Sequence, residues 1–318
     1  MNPKEKYASW IVFFLFFATG SYLFYLYIFN VSNDFSEYYA LSNRLKDEPL
    51  SYSFERELKE PIYLILFWIL SNTFTATASV FIAGFIPFFV KSILIKNFTY
   101  YPFLALIFYF LVFLPIHDTN QIRAAAAAMV FLYAILVPKD LSKFKIIFLS
   151  FIAILFHYSG IFLLILLFKR RIFLLITAIL IASIFFVPIF NYLSSISDLF
   201  FLFDRYSSET SSVGLTSPYF LLHLIIVICC CIEWNNFSDI EKRGALFLII
   251  GLACFIFFQN FNVVAVRFRE LGFLGILPVL FSHKVKLTIF RLIIILCSLL
   301  TALLMTMEVW SELLGKVL

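Results

Sequence analysis

Charge is what this 318-residue chain has least of: Asp, Glu, Lys and Arg make up 14% of it, while 63% is hydrophobic and the mean hydropathy is +1.00. A soluble domain is about half apolar and about a quarter charged, so the shortage excludes a water-exposed globule and demands a lipid-facing surface. Glycine is scarce too, at 9 residues, which argues against the Gly-broken helix pairs common in transporters. The cysteines Cys229, Cys230, Cys231, Cys254 and Cys297 all fall in apolar runs without CxxC spacing. They read as small apolar fillers, and neither a disulfide framework nor a thiolate metal knot is indicated. No GxGxxG, GxxxxGK(S/T), HExxH or DxD occurs, so nucleotide phosphates and a divalent metal have no visible cradle, and no cofactor is expected. There is no repeat of fixed period. The net charge of +5 reflects basic inner loops and does not imply nucleic-acid binding.

What the chain does have is a series of apolar runs of membrane-crossing length, each about 20 residues. Runs at 8–30, 74–95, 99–116, 121–138, 172–190, 218–233, 244–260, 267–282 and 287–308 predict an all-α polytopic transmembrane helix bundle, a single integral membrane domain over 1–318. With shorter segments counted, it has about nine to eleven membrane segments. The first run follows Lys4 and Lys6, contains Tyr22, Tyr25 and Tyr27 and ends without a small-residue cleavage site. It reads as a retained anchor with a cytoplasmic N-terminus. Residues 146–168 are flanked by Lys139, Lys143 and Lys145 on one side and Lys169, Arg170 and Arg171 on the other. Positive charge favours the inside for both flanks, which predicts a re-entrant hairpin bent near His157-Tyr158-Ser159-Gly160; a single crossing with an inverted second half is the other topology.

In the hairpin topology the inner side holds Lys4, Lys6, Lys91, Lys96, the Lys139–Lys145 and Lys169–Arg171 clusters, Lys242, Arg243, Lys284, Lys286 and Arg291, well over half of the 24 basic residues. Of the 19 acids, only Glu5, Asp140, Glu233, Asp239 and Glu241 lie there. That asymmetry satisfies the positive-inside rule. Arg291, at an inner helix end, is expected to tolerate substitution. Two outer segments exceed a turn. Residues 31–73 carry Asn33 to Tyr39 and then Glu60-Pro61-Ile62-Tyr63, where proline at a first helical position starts an interfacial helix. Residues 191–217 carry Asp204-Arg205-Tyr206 and a Ser/Thr cluster. The run Ala124 to Ala128 reads as a close helix-packing face.

Ionisable groups at membrane depth are expensive, so those without a helix-end or inner-loop explanation point to function. Arg123 opens the fourth helix after His117-Asp118-Thr119-Asn120-Gln121. A cation in a first turn opposes the positive end of the helix dipole unless an anion meets it; Asp118 or an anionic substrate group would serve. Arg267 and Arg269 open a later helix on the same outer face, two residues apart and so on different faces of it, with Glu270 as a partner for one of them. A guanidinium suits phosphate because it stays charged and donates bidentately. His157 lies deep in an apolar segment beside Ser159 and Gly160, where it is either a packing residue or a proton-transfer group. His117 and His223 at outer helix ends and His283 at an inner one read as interfacial. The outer carboxylates Asp34, Glu37 and Glu60 are general-base candidates, and with Tyr38, Tyr39 and Tyr63 they suit a hydroxyl-rich ligand.

Taken together, Asp34 to Tyr39 with Glu60-Pro61-Ile62-Tyr63, Asn120-Gln121-Ile122-Arg123-Ala124-Ala125, Leu155-Phe156-His157-Tyr158-Ser159-Gly160 and Arg267-Phe268-Arg269-Glu270-Leu271 resemble the Wzy/EpsG-type family of bacterial polysaccharide polymerases, in family order across most of the chain. Two positions depart from the family pattern: Ala124 stands where Gln often follows the arginine, and Gly160 where Ala often follows the serine. The resemblance implies a GT-C-like, metal-independent glycosyltransferase of the bacterial inner membrane, acting at the periplasmic or outer face in O-antigen, capsule or exopolysaccharide synthesis. Such enzymes join oligosaccharide repeat units carried on undecaprenyl pyrophosphate, some with a chain-length regulator as partner. Arg123, Arg267, Arg269 and Arg205 would then hold the pyrophosphate, His157, Asp34, Glu37 or Glu60 would take the acceptor proton, and Tyr38, Tyr39, Tyr63 and Tyr206 would face the sugars. Two other classes share some of these features: a flippase or transporter of lipid-linked oligosaccharide, which needs access from both faces, and a membrane acyltransferase with His157 as its base.

Overall fold

The structure, a computed structural model, describes residues 3–30, 32, 34–56, 60–137, 141–168, 177, 181, 214–259, 262–282 and 287–317. Nearly all of the predicted helix 172–190 and the outer loop as far as residue 213, with Arg205 and Tyr206, lie outside the described residues, as does His283. Among the described residues there is no strand. The chain divides into two compact units: Met1–Leu163 with Phe281–His283 and Ala302–Leu318, and Leu164–Leu280 with Lys284–Thr301.

The first unit begins with α1 (Pro3–Asn30), followed by α2 (Phe35–Leu45), α3 (Leu50–Arg56) and α4 (Pro61–Thr73) in the segment read as an outer loop. Next come α5 (Ala76–Phe98), α6 (Pro102–Val112), a π turn at Leu114–Asp118, α7 (Ile122–Leu136) and α8 (Lys143–Phe156). Local chemistry sets the ends. Pro61 and Pro102 occupy first-turn positions, where no N–H is needed. The hydroxyls of Thr75 and Ser142 cap α5 and α8 by accepting from the N–H groups of Ala78 and Lys145. In α2 the buried residues Tyr38, Leu41, Ser42 and Leu45 recur at one-face helical spacing. That face rests on α4 and α5, and the Ser42 and Ser71 hydroxyls hydrogen-bond at 2.8 Å.

Helix α5 is the hub of this unit. It packs against α1, α2, α4, α6 and α7, with a run of stacked rings through Phe17, Phe24, Phe88 and Tyr109 at centroid distances of 5.2–6.4 Å. Ala124 to Ala128 are all buried in α7, which lies against α5 and α8; the alanine run is a packing face, as read. Helix α1 has the opposite surface, with Ile11, Phe14 and Leu15 exposed, the pattern expected of a helix that faces lipid. Three stretches among the described residues are long and apolar enough to cross a membrane: Ser9–Asn30 in α1, Ala76–Phe98 in α5, and Ile289–Ser311 near the C-terminal end.

Helix α8 stops at His157, whose backbone is extended. A 3-10 segment, Tyr158–Phe168, follows. The chain doubles back at that point: a Cβ on Gly160 would run into the backbone of Ala153 and Ile154 in the last turn of α8. Only glycine permits that approach. Phe162 then reaches the Phe131 ring of α7 at 6.4 Å. This is the bend predicted at His157–Gly160.

In the second unit, α9 (Pro218–Ile232), α10 (Asp239–Phe257), α11 (Asn262–Phe273), α12 (Ile276–Phe281) and the first part of α13 (Ile289–Val317) follow. A capping box of Ser238 and Glu241 starts α10. Helices α10 and α11 approach through Gly251 and Gly272, where a Cβ on Gly251 would lie 2.7 Å from the Gly272 Cα. Arg267 and Arg269 do not open their helix. It begins at Asn262, so both sit within it, because the apolar run Val263–Val266 ahead of them is helical as well.

Candidate active site

Glu60 is the N-cap residue of α4, yet its carboxylate makes no capping hydrogen bond. The side chain turns inward instead and is 1% exposed. There Glu60 Oε2 accepts from Arg123 Nη1 at 2.7 Å. The cation in the first turn of α7 therefore meets its carboxylate, but the partner lies 63 residues away in sequence. It is not Asp118, which the sequence offered as the near neighbour.

Oε1 of Glu60 faces the helix break. It accepts from the Tyr158 N–H at 3.4 Å and stands 3.8 Å from His157 Nε2. On the other side of the ring, His157 Nδ1 accepts from the Ser159 N–H at 3.2 Å and lies 2.7 Å from the Ser159 hydroxyl. A neutral imidazole that accepts at Nδ1 carries its proton on Nε2, so the ring presents an N–H to Glu60. Arg123 also donates to the Tyr38 hydroxyl. Tyr38 and Tyr63 are packed together at 6.1 Å between ring centroids. Burial pushes both phenols above their usual range, with Arg123 pulling the other way, so neither ionises near neutral pH.

These residues come from α2, the α4 start, the α7 start and the α8 break, all within the first unit. Arg123 and His157 keep 24% and 16% of their side-chain surface exposed, so the centre has an open side. The buried Arg123 Nε and Tyr63 hydroxyl have no hydrogen-bond partner. Sequence reasoning named Glu60, Arg123, His157, Tyr38 and Tyr63, and the structure gathers all five. Asp34 is close enough to act electrostatically on Tyr38 and Tyr63. Glu37 and Tyr39 remain exposed on the other face of α2. Tyr38 and Tyr63 are too buried to stack on a sugar, whereas Tyr158, quoted from the sequence only as part of the helix break, is 61% exposed and has its backbone N–H on Glu60. Ser159 was noted only as a neighbour of His157; its place two residues on was the available signal.

The second unit holds Arg267 and Arg269. Arg269 is buried, its guanidinium 5.4 Å from the Phe255 ring and 5.7 Å from that of Tyr219, and Arg267 is half-buried. Two placements at helix ends need correction. His117 and His223 are buried rather than interfacial, since π-turn and aromatic packing enclose them; His223 meets Phe273 edge-on at 5.4 Å. Arg291 is not a solvated inner-end cation either. Its Nη1 donates to Glu241 at 2.8 Å, its Nη2 donates to the Asn236 carbonyl at 3.3 Å, and its Nε lies 3.8 Å from Glu233.

Such a bundle, with a carboxylate, a guanidinium and an imidazole drawn together from three separate segments, defines a helical membrane protein with a largely buried polar centre. The class can be narrowed. The family model described as the EpsG family matches residues 7–314, nearly the whole chain, and the protein belongs to that family of Wzy-like polymerases. It is therefore a membrane protein of the polysaccharide-polymerase type, glycosyltransferase-like in its general activity. No curated protein and no solved structure matches the chain.

Proposed function

We propose that this protein joins lipid-linked oligosaccharide units at the outer face of a bacterial inner membrane, with its N-terminus in the cytoplasm. The growing chain would pass from undecaprenyl pyrophosphate to a sugar hydroxyl of a second lipid-linked unit. The acceptor oxygen forms the new bond to the anomeric carbon, the bond to pyrophosphate breaks, and the hydroxyl proton moves to a base. The observation that carries this reading is the Glu60 carboxylate, withheld from helix capping and held by Arg123 beside the His157 N–H. With the imidazole proton on Nε2, Glu60 is the better proton acceptor of the two, and His157 orients it.

Arg123 contributes positive charge for the departing pyrophosphate through its remaining donors. Arg267, Arg269 and Arg205 are phosphate-binding candidates by chemistry alone. Tyr158 is the stacking face beside the base, Tyr39 and Tyr206 are further sugar contacts, and Tyr38 and Tyr63 support Arg123. A chain-length regulator is the expected protein partner.

One observation favours a second reading. The order Ser159 hydroxyl, His157, Glu60 is also that of an acyl-transfer relay. The decisive experiment is a gel of surface polysaccharide from a deletion strain, complemented with wild type, Glu60→Gln or Ser159→Ala. The polymerase reading expects single repeat units instead of a ladder in the deletion and Glu60→Gln strains, and a ladder with Ser159→Ala. Loss of all units in the deletion strain points to a flippase, and an unchanged ladder refutes polymerisation. Loss of an acyl substituent with Ser159→Ala supports the acyltransferase.

A further inference from the structure

Away from the candidate centre, the first unit contains a second polar cluster. Lys91 of α5, Asp118 at the end of the π turn and Tyr109 of α6 are all completely buried. Lys91 Nζ lies 2.5 Å from Asp118 Oδ1, and the Tyr109 hydroxyl donates to Asp118 Oδ2. Lys91 was counted from sequence among the inner helix ends. It sits instead within α5, its ammonium enclosed.

A buried ion pair is a poor source of stability, because desolvation of both charges consumes most of the attraction and apolar residues of equal volume often do as well. What a pair supplies and leucine does not is a directional hold on one point of the backbone. Here that point ends the π turn, an irregularity that tends to occur at functional sites. The rest of the turn is held as firmly. The Ser32 hydroxyl donates to the Thr119 carbonyl at 2.7 Å, and Thr119 and Asn120 donate to the Pro115 carbonyl at 2.9 and 3.1 Å. Gly84 leaves room for the Asp118 carbonyl, which a Cβ there would meet at 2.9 Å. The segment so fixed runs directly into the first turn of α7, where Arg123 meets Glu60.

We infer that Lys91 and Asp118, with Tyr109, are positioning residues that set the register of Arg123 against Glu60. The inference rests on the polymerase reading above. The test uses the full-length protein in lipid nanodiscs, with lipid-linked repeat units extracted from the deletion strain as substrate. Asp118→Asn and the double variant Lys91→Met with Asp118→Leu are compared for melting temperature, kcat and KM. The double variant leaves no unpaired charge and strands only the Tyr109 hydroxyl, so it should melt within a few degrees of the wild-type temperature, yet with kcat lowered about 100-fold, the scale of an ångström-sized misplacement. Wild-type kcat in that variant would make the cluster structural only and overturn the inference. Tyr109→Phe covers the case of poor folding: it should lower kcat several-fold with little change in melting temperature, and unchanged kcat again overturns the inference. Glu60→Gln is assayed in parallel. If it polymerises normally, the polymerase reading itself fails, whereas an inactive Glu60→Gln beside a fully active double variant sinks only the positioning role.

Discussion

Among the described residues, each unit has a short arginine–carboxylate contact, Arg123–Glu60 at 2.7 Å and Arg291–Glu241 at 2.8 Å, and their surroundings differ. Arg291 is 8% exposed and fully engaged, by Glu241, the Asn236 carbonyl, Glu233 and the Phe237 ring at 5.0 Å. Glu233 in turn accepts from Thr288 at 2.7 Å and from Asn236 at 3.1 Å. This network joins the end of α9, the start of α10 and the start of α13. Arg123 is three times as exposed, has an unpartnered Nε, and shares its carboxylate with an imidazole on a helix break. The contact distance therefore says nothing about role. Surroundings do: a guanidinium whose three nitrogens each face an acceptor is a fastener, and one with a nitrogen and an open side to spare can engage a ligand.

The sharpest way to break the comparison is Glu60→Gln, which keeps the shape and an acceptor for Arg123. Polymer formation in nanodiscs should fall by about 100- to 1000-fold with near-normal folded yield; a ladder of wild-type length would remove the distinction. Arg291→Ala should do the reverse. It leaves Glu241 and Glu233 buried without their cation, at a cost of about 3–5 kcal/mol, seen as a lower melting temperature and yield, while activity per folded molecule holds. Gly160→Ala lies between the two. Its Cβ would force the return limb off Ala153 at about 1–3 kcal/mol and shift His157, so both melting temperature and turnover should drop. The smallest change expected is from Asn236→Ala, which removes one hydrogen bond to Glu233, worth about 1 kcal/mol; thermal melts should register it and polymer assays should not.

Much of the fold was readable because lipid imposes simple rules. Ser142 ahead of α8, Pro61 ahead of α4 and the alanine run of α7 are local signals, and each appears where its chemistry requires. The break at His157 was readable from basic flanks and a His-Tyr-Ser-Gly sequence. The shortlist of costly ionisable groups also contained Glu60, Arg123 and His157, which the structure brings together, since few such groups were present. Their partners were another matter. Asp118 looked like the neighbour of Arg123 but belongs to Lys91 and Tyr109, and Arg291 looked solvated but is enclosed.

By itself, then, the sequence determined the solvent, the helices, their ends and a short set of candidate residues, because hydropathy, proline and capping hydroxyls act over a few neighbouring positions. Only the tertiary structure decided which charge meets which, which tyrosines are buried, and which arginine keeps a free side. Those outcomes depend on distances between segments 60 to 100 residues apart, as with Glu60 and Arg123 or Glu60 and Tyr158. In helices apolar on every face, hydropathy does not separate a side turned to lipid from one turned to protein.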